Sequence, residues 1–496
     1  MKTKDVAIGS IYGIFSRVVV VVCGFLISIV IARRLGPEYF GLYTFIVSML
    51  VWVESGVSMG LPSVFRKVVS EDKATFRPIV TSLGRLSVPY CLTFMVLFVV
   101  ASPAIAHMMN DDRLTILLII ASLDIPFFVL FTTYLGVLNG HGNFLLHSVL
   151  GAFYSISRTV LMITAVLLTF GVTGALLGNA LGSICGLLLA FHCAKKLTAQ
   201  YLPDGDGSLR LSSPVIRSKL VSFGVPYLSY SLFASVLINL DIWLVKALTE
   251  ASDGGDHVVG YYAAAYNLAR VPYLLMTAVT MTIFPAISNA VFEHRTGDAR
   301  VLIRQQLRFV LLILMPAILI VHATSDEIIA LLFTSDYLPA SESFRILFTG
   351  VSAFSIFLFF VNIIAADNKP NFGVVISLLL LPVAIVLNYF LIDTLSIVGA
   401  AIATSAVSLI GLFISGAYVW RRFGRFIDMY SVLRISIASG CVYVAAGFDE
   451  LFQIHLLVGY TVLGLIYGLM LLILRETDLT KVKSLIRSLL NPSASS

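Results

Sequence analysis

Apolar runs of about twenty residues follow one another along the whole chain, and nothing else in the sequence limits its fold so tightly. About twenty residues of helix cross the roughly 30 Å hydrocarbon core of a bilayer. About fourteen such runs occur, near 8–32, 39–62, 80–106, 114–138, 144–170, 173–194, 218–247, 258–290, 303–324, 344–365, 372–392, 397–420, 431–448 and 453–474. Of 496 residues, 58% are hydrophobic and only 12% charged, with a mean hydropathy of +0.97, whereas a soluble domain is about one quarter charged. In hydrocarbon every backbone N–H and C=O must be satisfied within the protein. The expectation is therefore an all-α polytopic membrane protein with about fourteen transmembrane helices. The first run is too long for a signal peptide and ends in Ala32-Arg33-Arg34 without a small-residue cleavage site, so it reads as a retained span.

Orientation follows from the basic residues. With the N-terminus in the cytoplasm, the inner segments carry most of the 33 Lys and Arg, among them Arg66, Lys67, Lys73, Arg77, Lys195, Lys196, Arg421 and Arg422. The outer loops carry only Arg33, Arg34, Arg113, Lys246 and Arg345. This asymmetry places both termini in the cytoplasm and makes the net charge of +6 a topology signal, with no nucleic-acid partner implied.

The chain also repeats itself. GHGNF (140–144), VTGALLGNALGSICGLL (172–188) and AKK (194–196) have echoes in NKPNF (368–372), IVGAAIATSAVSLIGLF (397–413) and WRR (420–422). EYFGLY (38–43) has an echo in HVVGYY (257–262). Two six-helix lobes of like orientation, related by a pseudo-two-fold axis along the membrane normal, are expected, with two further C-terminal helices. The corresponding boundaries are 1–199 for the N-terminal lobe, 200–217 for a polar cytoplasmic linker and 218–424 for the C-terminal lobe. Residues 425–475 hold helices thirteen and fourteen, and 476–496 form a cytoplasmic amphipathic tail. Gly174, Gly178, Gly182 and Gly186 form one small-residue face on span six, suited to close helix packing or to sliding.

Charges inside the spans are the candidate functional residues, since each costs on the order of 3 kcal/mol at mid-membrane unless it faces water or a partner. Arg17, Arg85, Arg158 and Arg270 are the cations, and Glu54, Asp124 and Asp241 the acids. On span eight Tyr262, Tyr266, Arg270, Tyr273 and Thr277 follow one helical stripe, and span five sets Tyr154, Ser155 and Ser157 beside Arg158. Guanidinium forks match phosphate oxygens, and tyrosine rings match sugar faces. Candidate substrate-binding residues are thus Arg17, Arg158, Arg270, Arg85, Tyr154, Tyr266 and Tyr273, and candidate ion-coupling residues Asp241, Glu54 and Asp124. The alternative stays open that these arginines pair with these acids and only hold the bundle together, and that Arg85 snorkels to the interface.

Enzyme motifs are weak. GVSMG (56–60) fits a nucleophile elbow but lies in an apolar helix without strand-turn-helix context. There is no phosphate-binding P-loop, the eight histidines are scattered, and the five cysteines show no ligand spacing, so no metal and no cofactor is expected.

IARRLGPEYFGLYTFIVSML (31–50), GLPSVFRKVVSE (60–71), the NF pairs at 143 and 371, and the VTGALLGNALGS and IVGAAIATSAVS stretches resemble bacterial oligosaccharide flippases. These form the polysaccharide transport branch of the multidrug/oligosaccharidyl-lipid/polysaccharide exporter superfamily. The resemblance implies a central cationic cavity that alternates between inward and outward openings. It implies a polyprenyl-pyrophosphate-linked oligosaccharide as substrate, carried from the cytoplasmic to the outer leaflet of the bacterial inner membrane for cell-surface polysaccharide biosynthesis. It also implies a transporter rather than an enzyme, with membrane lipids, a polysaccharide polymerase and glycosyltransferases as candidate partners. Two other readings share this hydropathy: a cation-coupled multidrug exporter of the same superfamily, and a membrane polysaccharide polymerase or glycosyltransferase.

Overall fold

A computed structural model describes residues 3–200, 218, 220–249, 255–367, 369, 371–447 and 456–476. The expected linker at 200–217 apart from Gln200, the amphipathic tail beyond 476 and part of the NKPNF echo lie outside the described residues. Among the described residues the chain is helical and has no strand. The helices are α1 (Thr3–Met59), α2 (Leu61–Glu71), α3 (Phe76–Met108), α4 (Arg113–Ser122), α5 (Asp124–His141), α6 (Phe144–Leu167) and α7 (Gly171–Gln200). They continue as α8 (Val225–Thr249), α9 (Gly255–Ala269), α10 (Val271–Phe292), α11 (Thr296–Leu332), α12 (Ser341–Ala366), α13 (Asn371–Phe423), α14 (Met429–Ala446) and α15 (Leu456–Ile473).

Among the described residues nine helical stretches are long and apolar enough to cross a bilayer, or ten with the bent pair at 220–249 taken as one span. Two of them are too long for one crossing. At 1.5 Å per residue α1 would extend over roughly 85 Å, nearly three bilayer cores. It turns at Gly36, whose φ of 77° is open to glycine, and Pro37 follows with no N–H to continue the ladder. The 53-residue α13 also breaks, at Ser396, a non-glycine residue at positive φ (φ 52°, ψ −133°) with no proline after it. With both divided, and with α9–α10 and Val458–Ile473 added, the described helices accommodate the fourteen expected crossings.

The chain forms two compact units, residues 1–264 with 388–397 and residues 265–387 with 398–496. In the first, one core joins Val64 and Phe65 of α2, Ile79 and Leu83 of α3, Phe131 and Val137 of α5, and Ala190 and Ala194 of α7. In the second, Ile303 and Leu307 of α11 pack with Phe359, Phe360 and Ile363 of α12 and with Phe423. Leu97, Val100 and Val160 in the first unit, and Leu379 and Phe413 in the second, are exposed. An apolar exterior is what lipid as solvent requires.

The glycine face of α7 lies against α6. A Cβ at Gly178 would stand 2.7 Å from the Met162 Cα, and one at Gly182 2.6 Å from the Arg158 Cα. The backbones touch, and Arg158 is held on the contact line. The glycines of the first echo also meet: a Cβ at Gly41 would strike the Asp256 carbonyl and the Gly260 backbone, and one at Gly260 the Pro37 carbonyl. GHGNF is a helix stop and start. Gly142 closes α5 in the left-handed region (φ 92°), and Asn143 caps α6 by accepting from the Leu146 N–H at 3.2 Å.

The stripe expected over 262–277 is not continuous. The hydrogen-bond ladder is interrupted at Arg270, and a new helix starts at Val271 with Pro272 in its first turn, where the N–H that proline lacks would otherwise bond back to the preceding helix.

Candidate functional site: a buried charge cluster in the first unit

Arg158 lies near the middle of α6. α1 brings Glu54 and Tyr43 beside it, α5 brings Asp124 as its first residue, and α7 brings Asn179 and Ser183, one turn apart. Glu54 and Asp124 are buried at 5% and 1% exposure. Arg158 is within electrostatic reach of both carboxyl groups and of the Tyr43 and Tyr154 hydroxyls. The two carboxyl groups are close enough to act on one another electrostatically, and Asn179 Nδ2 donates to Asp124 Oδ2. Yet Glu54 Oε1, Asp124 Oδ1, Arg158 Nε and Asn179 Oδ1 are buried without a partner at hydrogen-bonding geometry. Each such atom costs about 1–3 kcal/mol. Four such atoms in one cluster within the spans are unusual for a packed interior and mark this cluster as the candidate site.

The other expected residues are distributed as follows. The ring of Tyr154 packs on Phe131 at 4.7 Å and Phe128 at 5.8 Å while its hydroxyl faces the Arg158 charge. Arg17 and Arg85 are exposed on α1 and α3, and Arg17 shares its surroundings with Arg66 and His147. Asp241 on α8 is buried, accepting from the Tyr262 hydroxyl at 2.7 Å and from the Ile242 N–H at 2.9 Å. In the second unit the Arg270 guanidinium stands 4.6 Å over the Tyr266 ring, while Tyr273 faces Phe354 at 6.5 Å. The structure thus gathers Arg158, Tyr154, Glu54 and Asp124 in one place in the first unit, where Arg17, Arg85 and Asp241 have other neighbours, and in the second unit it sets Arg270 over Tyr266 and Tyr273 against Phe354.

Tyr43, Asn179 and Ser183 escape a reading of charges alone. A signal exists for the last two, which stand four apart in GNALGS as polar residues beside the glycine face.

A second ion cluster ties together three connections of the first unit. Lys246 at the end of α8 is fully buried, its Nζ 2.6 Å from Asp256 Oδ1 and 3.2 Å from Asp111 Oδ2. Arg113 reaches Asp111 at 2.9 Å, Asp256 at 2.5 Å and Glu38 at 3.7 Å. Burial alone would raise the Asp111 carboxyl, but hydrogen bonds and charge from Arg113 and Lys246 hold it below the usual carboxylate range.

Comparison with known proteins places this architecture. The polysaccharide biosynthesis protein family matches residues 6–291, more than half of the chain, and the MatE family matches residues 226–390. Among curated proteins, the probable low-salt glycan biosynthesis flippase Agl15 of Haloferax volcanii is 27% identical over 36% of this chain and 38% of its own length. Stage V sporulation protein B of Bacillus subtilis is 24% identical over 66% of each chain. The lipid II flippase MurJ of the same species is 25% identical over 47% of this chain and 44% of its own. The matches therefore span less than two thirds of these relatives' lengths. Among solved structures, a lipid II flippase MurJ in an inward closed conformation superposes with a TM-score of 0.70 at 17% identity, covering 95% of this chain and 99% of that one. An inward-facing multidrug resistance MATE transporter gives 0.64 at 15% identity, covering 81% and 94%. The fold is shared with both, and by its match over residues 6–291 the chain belongs to the polysaccharide biosynthesis protein family, in the polysaccharide transport branch of the multidrug/oligosaccharidyl-lipid/polysaccharide exporter superfamily.

Proposed function

We propose that the protein flips a polyprenyl-pyrophosphate-linked oligosaccharide from the cytoplasmic to the outer leaflet of a bacterial inner membrane by alternating access, feeding glycosyltransferase products to a polymerase. The observation that carries this reading is the cluster around Arg158, a cation within a span whose Nε is buried among other unsatisfied polar atoms, in a family of polysaccharide biosynthesis proteins. A pyrophosphate cannot cross bare hydrocarbon, where each unsatisfied polar group costs several kcal/mol. In this scheme Arg158, with Arg17 and Arg270, meets the pyrophosphate, Tyr154, Tyr266 and Tyr273 meet the sugar, and Arg85 serves at the rim. Glu54 and Asp124, or Asp241, carry the coupling ion. The basic end of the first unit, with Arg66 and Lys67, faces the cytoplasm, as do both termini.

One observation favours a cation-coupled multidrug exporter instead: in the Arg158 cluster two carboxyl groups face one guanidinium, and the MatE family matches residues 226–390. The experiment that separates the two is binding and flipping of a fluorescent polyprenyl-pyrophosphate sugar in proteoliposomes, beside an organic dye cation. The expected result is preference for the pyrophosphate lipid, with flipping lost in Arg158→Gln at equal expression. Wild-type flipping by that variant would remove Arg158 from the site, and dye binding without pyrophosphate preference would select the exporter.

A further inference from the structure

GLPSVFRKVVSE and GHGNF, distant in sequence, lie together at the basic end of the first unit, away from the Arg158 cluster. With Phe223 they line a cavity of about 480 Å³, a size in the range of small-ligand sites, about 300–1,000 Å³. Arg66, Lys67 and Lys73 supply three cations to its wall, Ser63 and Asn139 add polar groups, and no carboxylate lines it. Among the described residues none of the three cations is ion-paired with a carboxylate. Three uncompensated cations repel one another, and the fold nevertheless holds them together.

The holding is specific. α2 is fixed by its buried face, in which Val64, Phe65, Val68 and Val69 are core. Lys67 Nζ sits 4.2 Å over the Phe223 ring, a cation–π contact that orients it without neutralising it. Two glycines stand at the junction. A Cβ at Gly140 would stand 2.5 Å from the Arg66 carbonyl oxygen, so this glycine lets α5 press on α2, and Lys73 Nζ lies 3.8 Å from where a Cβ at the left-handed Gly142 would stand, which brings both segments and their cations to one wall. Concentrated positive charge with donors and no acid is a recognition surface for phosphate oxygens.

We propose that this cavity is a second anion site, taking phosphate or pyrophosphate, and that it receives the headgroup of the lipid-linked substrate before Arg158 does. The second clause rests on the flippase reading; the first does not. The test is the reactivity of Lys67 and Lys73 towards an acetylating reagent, read by mass spectrometry on the full chain in phosphatidylcholine nanodiscs. Lys195 and Lys196, exposed on α7, are internal references.

Inorganic pyrophosphate is expected to slow acetylation of Lys67 and Lys73 at least ~5-fold relative to the references, and polyprenyl pyrophosphate to do so at lower concentration. In Arg66→Gln, checked for an unchanged melting temperature, that protection should fall by a similar factor. Unchanged lysine reactivity with both pyrophosphates overturns the site. Equal protection by phosphatidylglycerol nanodiscs alone shows a site for bulk anionic lipid, which keeps the anion site and overturns its place on the substrate's route. Because lysine reactivity is read rather than flipping, failure here leaves Arg158 standing, and failure at Arg158 leaves this cavity standing.

Discussion

Replacing Lys246 by methionine should cost the first unit stability out of proportion to a single surface charge. The side chain is fully buried and lies between Asp256 at 2.6 Å and Asp111 at 3.2 Å. Methionine has nearly the same length and fills the space, so the loss is electrostatic and not a cavity. Removing one partner of a buried ion pair costs about 3–5 kcal/mol because the other charge stays buried and unpaired. Arg113 remains in contact with both acids, but its side chain is 53% exposed and partly screened, which places the expectation at the low end, about 3 kcal/mol. For a chain of this length that corresponds to a fall of roughly 3 °C in melting temperature. The protein provides its own reporter, since Cys23 and Cys91 are free and buried and become reactive to a thiol dye on unfolding. The double variant Lys246→Met/Asp256→Asn should regain more than half of the loss by removing the stranded charge. A melting temperature for Lys246→Met within about 1 °C of wild type, or a double variant no better than the single one, would refute the reasoning.

Acid should act on the same cluster. Asp111 is held below its ordinary value of 3.8, so its contribution is present above that value and is lost as pH falls through the lower folded one; Arg113→Gln should make the loss begin at higher pH in melting curves recorded from pH 6 to about pH 3. Gly182→Leu would drive a side chain into the Arg158 backbone, and overpacking of about 1–3 kcal/mol should appear as a lower melting temperature together with lost flipping. Tyr262→Phe removes the hydroxyl donated to Asp241 at 2.7 Å and should cost about 1–3 kcal/mol in the same thermal assay.

Much of the fold is legible because hydrocarbon is a simple solvent: a span must be about twenty apolar residues long, and the residues that interrupt the runs are the ends. Hydropathy does not say where a helix bends within an apolar stretch. Gly36-Pro37 and Val271-Pro272 carry that information in backbone chemistry, and the second divides what looks on a helical wheel like one stripe from Tyr262 to Thr277. Arg158, Glu54 and Asp124 stand out by their cost in the membrane, yet which acid meets which base is a matter of tertiary packing, decided by the glycines that press α7 onto α6. Lys246 offers no such signal. It closes an apolar run, where a lysine ordinarily extends into water, and only the approach of Asp111 and Asp256 from other connections buries it.

The facing glycines of EYFGLY and HVVGYY have a mechanical meaning. At the point where Gly41 meets Gly260, backbone stands against backbone, so that point of contact itself involves little side-chain dispersion energy. Cohesion at that end is carried by Lys246, Arg113 and their acids. A joint with close backbone contact at one point and buried charges at another is stiff only while those charges stay paired, so its rigidity is a matter of the ion cluster as well as of packing.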